Sequence, residues 1–543
     1  MTDKKSTHQE INIEELNALI ERVEHAIENE LALSVDDLKL LLSAIHTLST
    51  LQRSLEDKNA TLYKLRKLLG MIKQSERRPS GNNNLSNKKR NKNSKGKNNN
   101  KKHNKPPKVV HHALEGIKKG DTCPECQRGR LYKFDPGQLL RISGHAPYEA
   151  TQHVSECIRC NACQAVITAN LPQEVLDDGA PNQRYGYSAR ALMVLHKFYS
   201  GLPYYHQGNL SAMMGVAITA STIFDQCEYV ANAIMPIFYE LLRMAANAKL
   251  FLMDDTPHRI LTQQPEERPN RNGSGTRERT GVYTSGLVAY TDEGHEIVLF
   301  QTSLGHAGEF IDELLKKRDK SLPEPIVMSD ALRSNKPTVM EVQQAYCNAH
   351  CRREFFDIQN QKPEVIDWVL ETYGKIWENE AYTKEKELND KERFEYHKKH
   401  SLPVMEDVKA WAEKQTNSDE FEEHSAFGKA VKYLNRHYEK LTLFCRIPGV
   451  PIDNNRMEET LKLIIRNRKT SHFFKTINGA DVANVLTTAI GTAMRANINI
   501  FDYLVLLQRH HNDVKKHPER WLPWNYEDTL KSLLKEAQKI PIT

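Results

Sequence analysis

Three acidic residues that are far apart in the chain stand where a carboxylate is expected to hold a metal ion. Asp254 follows the apolar run Lys249–Met253, which places it at the tip of a predicted buried strand. Asp330 follows a second such run, Ile326–Ser329, and Glu458 lies early in a stretch with helical character. Two aspartates at strand ends and one glutamate on a helix are the components of a two-metal site for phosphoryl transfer.

The chemistry of these carboxylates would depend on bound metal ions. Hard oxygen ligands suit Mg²⁺ or Mn²⁺, and two ions roughly 3.5–4 Å apart would activate an attacking hydroxyl and stabilise a leaving 3′ oxygen. An aspartate at a strand end is more often a turn or cap residue, so that simpler interpretation stays open. Asp254 and Asp255 are neighbours whose side chains point to opposite faces of a strand. The residue types alone do not choose between them.

Two Cys-x-x-Cys pairs predict a separate, structural metal site. Four thiolates suit a tetrahedral Zn²⁺, and each short turn places two of them on one side of the ion. The pairs lie about 34 residues apart, and the predicted ligands are Cys123, Cys126, Cys160 and Cys163. Cys157 is surplus and could compete as a ligand, and free core cysteines are the alternative interpretation. A small sheet with strands at Leu131–Phe134 and Tyr148–Val154 is predicted between the pairs.

A second group of possible metal ligands lies further along the chain. Cys347, His350 and Cys351 fall within one helical turn. A second zinc ion is possible there, but packing against neighbouring helices is the favoured interpretation.

Positive charge is concentrated in two places. Residues 77–108 carry about a dozen Lys and Arg and no Asp or Glu, in an Asn-rich, low-complexity stretch that includes Lys88, Lys89 and Arg90. Such a stretch cannot bury a core and is predicted to be disordered without a partner. A solvated linker is the simpler interpretation, and it is compatible with contact to nucleic-acid phosphates. A second cluster, Arg466, Arg468 and Lys469, lies close in sequence to Glu458. Phosphate contact beside the scissile bond is favoured there over a solvated helix face.

Length and composition set further bounds. A chain of 543 residues is too long for one core, and about 150 residues per domain predicts three or four units. Five of the nine cysteines fall between Cys123 and Cys163, which favours metal binding in a reducing, cytoplasmic setting over a disulfide framework. No secretory signal is predicted, and the apolar stretch Val230–Met253 contains three charged residues, so no membrane span is expected.

The order of predicted elements points to an α/β catalytic region. Helical periodicity runs through residues 12–75 and 185–248, and the first stretch forms either a dimerising coiled coil or a helical pair packed on its own chain. Short β-rich runs follow at Lys249–Met253, Gly281–Tyr290, Glu296–Thr302 and Pro325–Ser329. Asp292-Glu-Gly294 predicts a hairpin turn, and Ala307–Lys317 predicts a helix. Strand, hairpin, helix and strand in this order indicate a mixed sheet.

Several motifs, in this order, resemble the transposases of the insertion sequence 66 family. They are Leu202-Pro-Tyr-Tyr205, Ser221-Thr-Ile223, Met253-Asp-Asp-Thr-Pro257, Cys347-Asn-Ala-His-Cys-Arg-Arg-Glu-Phe-Phe-Asp357, Ile452-Asp-Asn-Asn-Arg-Met-Glu-Glu459, Arg466-Asn-Arg-Lys469 with Phe473-Phe474, and Leu522-Pro-Trp-Asn525. The resemblance spans roughly residues 109–525. It implies a DDE transposase with a ribonuclease-H-like fold.

The resemblance also assigns roles to residues. It implies that Asp254, Asp330 and Glu458 are the catalytic ligands of two Mg²⁺ or Mn²⁺ ions, with Asp255 and Glu459 as neighbours that do not bind metal. Enzymes of this kind use water to nick DNA at the element end, and the freed 3′ hydroxyl then attacks target DNA. No covalent protein intermediate is needed.

The expected organisation follows from the elements and the resemblance together. In order along the chain, we expect an N-terminal helical region at 1–76, the basic linker at 77–108, a zinc-ribbon-like module at 109–172, a helical DNA-binding or linking region at 173–248, a catalytic domain at 249–525 with a helical insertion at about 338–445, and a tail at 526–543.

The implied partners are DNA, both element ends and target, and further copies of the chain in a synaptic complex, with helper proteins possible and no membrane. A cytoplasmic, bacterial nucleoid-associated location is expected. Two alternatives stay open: a catalytically retired DNA-binding protein, and a nuclease that cuts without joining strands.

Overall fold

The computed structural model describes residues 13–29, 31–41, 119–122, 130–131, 145–159, 166–180, 182–270, 275–360, 363–418 and 421–539. The chain divides into two compact units, Met1–Lys97 and Asn98–Thr543. Among the described residues, no helix is both long and apolar enough to cross a lipid bilayer.

The first unit contributes helix α1, Ile13–Glu28. Ser34 then caps a second helical stretch, at residues 35–41, because its hydroxyl accepts a hydrogen bond from the Asp37 amide at 3.1 Å. Arg22 on α1 forms an ion pair with Asp37 at 2.9 Å. The two helical stretches of this unit are therefore linked by charge as well as by the short connection between them. Residues 42–76 of the predicted helical region lie outside the described residues.

The second unit opens with a small antiparallel ribbon, β1 (Cys157–Arg159) paired with β2 (Val166–Thr168). The predicted strand at Tyr148–Val154 is wrong, since this segment is described without strand structure. Tyr148 is buried in the main hydrophobic cluster, and its ring meets that of His196 edge-on at 6.3 Å. Tyr148 therefore anchors the segment to that cluster, whereas residues 149–154 are exposed.

Between the β1–β2 ribbon and the larger sheet, the described residues form helices α2 (Gln173–Asp177), α3 (Tyr187–Val194), α4 (Tyr204–Met213) and α5 (Ala220–Ala246). A π-helical turn, Leu195–Tyr199, continues α3. Thr219 caps α5 by accepting from the Thr222 amide at 3.2 Å. Helices α3, α4 and α5 lie in the region 185–248, where sequence periodicity predicts helical structure, and α2 lies before it.

The strands of the sheet region are β3 (Leu250–His258), β4 (Glu266–Pro269), β5 (Thr276–Arg279), β6 (Val282–Tyr290), β7 (Glu296–Ser303), β8 (Ile326–Ser329) and β9 (Gln343–Tyr346). Five of them form one sheet in the order β7-β6-β3-β8-β9. The β7–β6 and β6–β3 pairs are antiparallel, whereas the β3–β8 and β8–β9 pairs are parallel. The predicted mixed sheet is therefore present.

Three features of this region depart from the predictions. Strand β3 continues to His258, so Asp254 lies inside the strand and not at its tip. Strands β4 and β5 form a separate two-stranded ribbon between β3 and β6, where no strand was predicted. Strand β9 lies in a segment predicted to be helical, because its short and partly polar sequence gives no strand signal.

The remaining helices are α6 (Ala307–Leu315), α7 (Asn348–Phe356), α8 (Pro363–Glu385), α9 (Asp390–His400), α10 (Leu402–Thr416), α11 (Ala426–Leu441), α12 (Asn455–Ser471), α13 (Ile477–Arg495), α14 (Ile500–Arg509), α15 (His511–Lys516) and α16 (Tyr526–Lys539). Helices α5, α6 and α13 share one hydrophobic cluster with the sheet, and α7, α8, α10 and α11 share a second. Neighbouring residues of β3 alternate between the two, with Phe251 in the first and Leu252 in the second.

The inserted helices are connected to the rest of the domain through a buried ionic cluster. Glu380 on α8 accepts hydrogen bonds from Arg393 Nε at 2.8 Å and from His397 Nε2 at 2.9 Å. Burial alone would raise the pKa of Glu380, but the His397 hydrogen bond and the Arg393 charge lower it to about 2. Arg393 also donates to the Val450 carbonyl at 2.8 Å, in the segment that leads into α12. The insertion therefore contacts the start of the helix that carries Glu458.

Helix α13 packs against β7, which is an edge strand of the sheet. Thr492 and Thr488 accept hydrogen bonds from the backbone amides of Val298 and Phe300 at 3.1 and 3.0 Å. One helical turn earlier, Asn484 accepts from the Thr302 hydroxyl at 3.0 Å. Every fourth residue of the helix thus accepts a hydrogen bond from every second residue of β7. These bonds use edge groups of the sheet that would otherwise be free to pair with another strand.

We expect Thr488→Val to lower the free energy of unfolding by about 1–2 kcal/mol, because it leaves the buried Phe300 amide without its acceptor. The neighbouring Thr487→Val is the matched control. The Thr487 hydroxyl is buried without a hydrogen-bond partner, so its removal should leave stability unchanged or raised. Denaturant titration of both variants measures the difference, and equal effects would contradict the role given to Thr488.

Candidate functional site

The two aspartates are brought together by neighbouring parallel strands. Leu252 of β3 pairs with Met328 of β8. Two residues further along each strand are Asp254 and Asp330, on strands that neighbour each other in the sheet. Neighbouring strands lie about 4.8 Å apart, so the register places the two carboxyl groups side by side. Asp330 is then fixed by a hydrogen bond from Asn335 Nδ2 at 2.8 Å.

The start of α12 is attached to the same strand. The buried Asn454, directly before the helix, donates from Nδ2 to the Met253 carbonyl at 2.9 Å. Glu458 is in the first turn of this helix. Gly286, paired with Asp254 on β6, makes the close approach possible, because a Cβ there would overlap the Met457 methyl group. The helix therefore sits over β3 with Glu458 near Asp254.

The side chain of Asp255 is engaged on the other face of the strand. Its Oδ2 lies 2.8 Å from His306 Nδ1 and accepts from the Ala307 amide at 3.4 Å. Both groups belong to the N-terminus of α6, where a carboxylate is favourable. The charges of both Asp330 and Glu458 act on Asp254, whereas the Asp255 carboxylate has its own partners at the start of α6.

A similar division separates Glu458 from Glu459. The Glu459 side chain is 60% exposed and forms ion pairs with Arg495 at 3.4 Å and Arg456 at 3.8 Å. The Glu458 side chain is 28% exposed and faces His350 and Arg353 on α7, at 3.7 and 3.8 Å. Glu458 therefore faces inward, and Glu459 belongs to the surface.

The carboxyl groups influence one another electrostatically. Burial raises the pKa of Asp254 to about 7, and the negative charges of Asp330, Asp255 and Glu458 act in the same direction. Burial also raises the pKa of Asp330, although the hydrogen bond from Asn335 opposes the change. A group of carboxyls whose charges repel one another in a partly buried site is suited to a bound cation.

A histidine and a thiol adjoin Glu458. Ligand atoms of Cys347, His350 and Glu458 all lie within 4.8 Å of one another, and this is the group of possible metal ligands found among the described residues. His350 Nδ1 and Glu458 Oε1 are buried without a hydrogen-bond partner. Cys351 is not part of this group and is buried in the second hydrophobic cluster. The three ligands of the possible second zinc site are therefore not brought together.

The site can be tested for its fit to divalent cations. Asp254, Asp330 and Glu458 offer hard carboxylate oxygens, which suit Mg²⁺ or Mn²⁺. Glu458 Oε1 has no hydrogen-bond partner, and burial together with the neighbouring carboxylates disfavours the charged form of Asp254 and raises its pKa. The residues present therefore fit such ions.

The predicted basic cluster on α12 has structural contacts. Arg466 donates to the Tyr199 carbonyl, and Arg468 donates to the Pro257 carbonyl at 2.7 Å and to the Thr256 hydroxyl. Lys469 is exposed. The two arginines therefore hold α12 against the π-helical turn and the end of β3, which leaves Lys469 as the more available cation.

Other predicted ligands lie outside the described residues. These are the zinc ligands Cys123, Cys126, Cys160 and Cys163 and the linker residues Lys88, Lys89 and Arg90. The described neighbours of each cysteine pair are antiparallel: Thr122 bridges Arg130, and β1 pairs with β2. Each Cys-x-x-Cys pair thus lies within a segment whose two ends are paired.

Sequence reasoning did not select several residues that shape the site. They are Asn335, Asn454, His306 and Arg353. Asn454 lies in the motif around Glu458, so its position was visible but its contact with Met253 was not. His306 follows Gly305 and precedes a predicted helix, which marks an N-cap without revealing its contact with Asp255.

The chain is similar to one protein family and to individual proteins. The model of a family described as "Transposase IS66 family" matches residues 182–482, more than half of the chain. Uncharacterized protein y4jD of Sinorhizobium fredii is 24% identical over 421 residues, covering 72% of this chain and 77% of that protein. Uncharacterized protein y4hP of the same organism is 22% identical over 433 residues, covering 76% and 74%.

We expect Asp254→Asn to raise the free energy of unfolding by roughly 1–3 kcal/mol near pH 8 without divalent ions, because it removes a buried charge. With a folded pKa near 7 and an ordinary value of 3.8, this carboxyl binds more protons in the folded state between those values. The free energy of unfolding of the wild type should therefore fall as the pH rises from about 4 to about 7. The variant lacks the ionisable carboxyl and should not show this fall.

Denaturant titrations across that pH range measure the difference between wild type and Asp254→Asn. Asp255→Asn is the control, because its carboxylate contacts the start of α6, and its loss should lower stability. A gap between wild type and Asp254→Asn that does not change with pH would contradict the electrostatic account.

Proposed function

The chain belongs to the IS66 family of transposases, and we propose that it nicks DNA at the ends of an insertion sequence and joins the freed 3′ end to target DNA. The observation that carries the proposal is the convergence of Asp254, Asp330 and Glu458 from two neighbouring strands and one helix. Their chain neighbours Asp255 and Glu459 are engaged elsewhere. Carboxylates brought to one place from separate elements support a two-metal phosphoryl-transfer site.

Asp254, Asp330 and Glu458 would hold the divalent ions, Mg²⁺ or Mn²⁺. Ions bound there would supply the positive charge that activates the attacking oxygen and offsets the charge on the leaving 3′ oxygen. Asn335 orients the Asp330 carboxylate, and Asn454 fixes the helix that carries Glu458 relative to β3. The protein's own contribution is therefore to preorganise the carboxylates.

Two successive displacements at phosphorus account for the reaction. In the first, a water oxygen forms a bond to phosphorus and the 3′ oxygen of the element end leaves. In the second, that 3′ hydroxyl oxygen attacks a target phosphorus, and the 3′ oxygen of the target strand leaves as a hydroxyl. Each step exchanges one phosphorus–oxygen bond for another, so a nucleotide cofactor is not required.

The surrounding architecture supports the same proposal. A mixed sheet in the order β7-β6-β3-β8-β9, followed by α12, supports a ribonuclease-H-like catalytic domain at 249–525. The insertion of α7 to α11 falls between Asp330 and Glu458. We place DNA contacts at Lys469, at the basic linker with Lys88, Lys89 and Arg90, and at the exposed parts of Arg466 and Arg468. The region 173–248, packed on α12, would transmit DNA binding to the site.

The cysteine pairs are proposed to hold a structural zinc ion in the module at 109–172. The paired ends of both segments support this, since a zinc ribbon places each Cys-x-x-Cys in a turn between paired strands. Element ends and target DNA are the proposed substrates. Because two ends must be held together, we propose that copies of the chain assemble on them.

We expect Asp254→Ala, Asp330→Ala and Glu458→Ala each to abolish nicking and strand transfer, because each removes a metal ligand from the site. Circular dichroism and thermal melting should show that the variants remain folded. The assay follows labelled DNA carrying the element ends in the presence of Mg²⁺ or Mn²⁺ and separates cut from joined products by electrophoresis.

Glu459→Gln is the matched control for the glutamate, and it should retain both activities because its side chain lies at the surface. Joined products from any folded alanine variant of the three would overturn the assignment. Cut products without joined products from wild type would indicate a nuclease. DNA binding without any metal-dependent product would indicate a retired enzyme.

We expect the purified chain to hold one zinc ion, and Cys123→Ser or Cys163→Ser to lose it. Elemental analysis of the protein after dialysis measures the stoichiometry. Cys347→Ser tests the other possible site, next to Glu458, and should leave the zinc content unchanged. A zinc content that depends on Cys347 and not on Cys123 would place the metal beside Glu458.

A further inference from the structure

A polar groove lies beside the catalytic aspartates, between the β4–β5 ribbon and the segment that follows β8. Its volume is about 540 Å³, within the roughly 300–1,000 Å³ typical of ligand-binding pockets. Its lining includes Arg277 on the ribbon, Tyr283 and His306 at its base, and Arg333 and Ser334 opposite the ribbon. We call it the ribbon groove.

One face of the ribbon is turned toward the domain. Arg279 forms an ion pair with Glu309 of α6 at 2.7 Å, which fixes the base of the ribbon. Arg277 lies two residues away and therefore on the same face. Glu278, between them, pairs with Glu267 and also contributes to the lining of the groove. The ribbon therefore brings Arg277 and Arg279 to the groove together with one carboxylate, and Arg279 is already paired with Glu309.

Two arginines of the ribbon lie opposite each other, and their positive charges repel. Arg277 lies directly opposite Arg268 in the register of β4 and β5, and like charges in such pairs are destabilising. Arg268 is compensated by Glu266 at 3.1 Å. Arg277 is exposed and has no carboxylate within ion-pair distance in the part of the chain that the structure describes. An anion in the groove would resolve this repulsion.

Arg333 supplies positive charge from the other wall. It is exposed in the short helical turn Arg333–Asn335, and it too has no carboxylate partner among the described residues. Asn335 in the same turn donates to Asp330 at 2.8 Å. The wall that carries Arg333 is therefore the wall that orients a proposed catalytic residue.

The base of the groove is connected to the other aspartate. The rings of Tyr283 and His306 are tilted against each other with centroids 4.0 Å apart. His306 Nδ1 lies 2.8 Å from Asp255, the neighbour of Asp254. Tyr283 is partly exposed in the groove that the two arginines line, so the groove combines a stacking surface for a base with cations for phosphates.

We propose that the ribbon groove binds a DNA strand and leads it to the catalytic carboxylates, with Arg277 and Arg333 on its phosphates and Tyr283 against a base. A strand is favoured over an isolated small anion because two arginines from different segments and an aromatic ring line the same groove, and a DNA strand offers both phosphates and bases to them. The proposal rests on the proposed function, and it adds a binding surface outside the metal site.

The test measures DNA affinity separately from catalysis. Fluorescence anisotropy with a labelled mixed-sequence duplex and the corresponding single strand, in EDTA and over a series of salt concentrations, gives the dissociation constant and its salt dependence for the full chain. For Arg277→Gln and Arg333→Gln we expect weaker binding to both DNAs and a salt slope lower by about one for each change. For Tyr283→Leu we expect roughly tenfold weaker binding of the single strand.

Lys391→Gln on α9 is the matched control, because it removes one exposed positive charge away from the groove. Arg277→Lys should restore most of the salt slope but not the full affinity, because lysine keeps the charge and loses the paired donors of arginine. Wild-type affinity and salt slope in the folded Arg277→Gln/Arg333→Gln double variant would overturn the proposal.

Failure of the groove and failure of the proposed function give different results. If the groove is wrong and the catalytic assignment right, the double variant binds, cuts and joins DNA as wild type does, while Asp254→Ala is inactive. If the catalytic assignment is wrong and the groove right, Asp254→Ala keeps its activity while the double variant loses affinity. Loss of affinity in the Lys391 control equal to that in the arginine variants would also overturn the groove, since binding would then depend on overall charge.

Discussion

The hydrogen bond from the Asn454 side chain to the Met253 carbonyl is the contact on which the site depends most. It joins the residue before Asp254 to the residue before the Glu458 helix, across 201 positions of sequence. The backbone amide of Asn454 is also used, since it donates to Cys347 Sγ at 3.2 Å. One buried asparagine thus fixes the strand, the helix and the start of the insertion relative to one another. Because Asn454 is buried, loss of this hydrogen bond would leave the Met253 carbonyl without its donor and would lower the stability of the fold.

The two ends of α12 are held by different parts of the chain. At its start, Trp377 of the insertion donates to Asp453 at 2.8 Å. Near its end, the buried Lys197 of the π-helical turn donates to Ser471 at 2.7 Å. Burial lowers the pKa of Lys197 to about 8, so this contact places a costly group in the interior. The position of Glu458 therefore depends on both the insertion and the preceding helices, although neither supplies a carboxylate.

How far the sequence predicts this structure depends on whether the signal is local. The long strands and the hairpin before Glu296 follow from apolar alternation and turn residues, and Asp330 follows its strand as predicted. The continuation of β3 beyond Asp254 was not predicted, because proline and charged residues are uncommon in strands. The segment nevertheless pairs with β6 as far as His258. The β4–β5 ribbon is charged throughout and carries no apolar pattern. Contacts such as that of Arg468 with Pro257 join distant segments, which no local pattern reveals.

The choice between adjacent acidic residues shows what tertiary structure adds. Sequence alone places Asp254 and Asp255 on opposite faces but does not say which face holds the site. The fold separates them by giving Asp255 a partner, His306 at the start of α6, and by leaving Asp254 among other carboxyls with a pKa near 7. Crowded carboxyl groups lower the stability of the folded protein, and such a loss of stability is common at active sites. The residue that is energetically less satisfied is therefore the better candidate for metal binding, and Asp255 serves by holding the helix beside it.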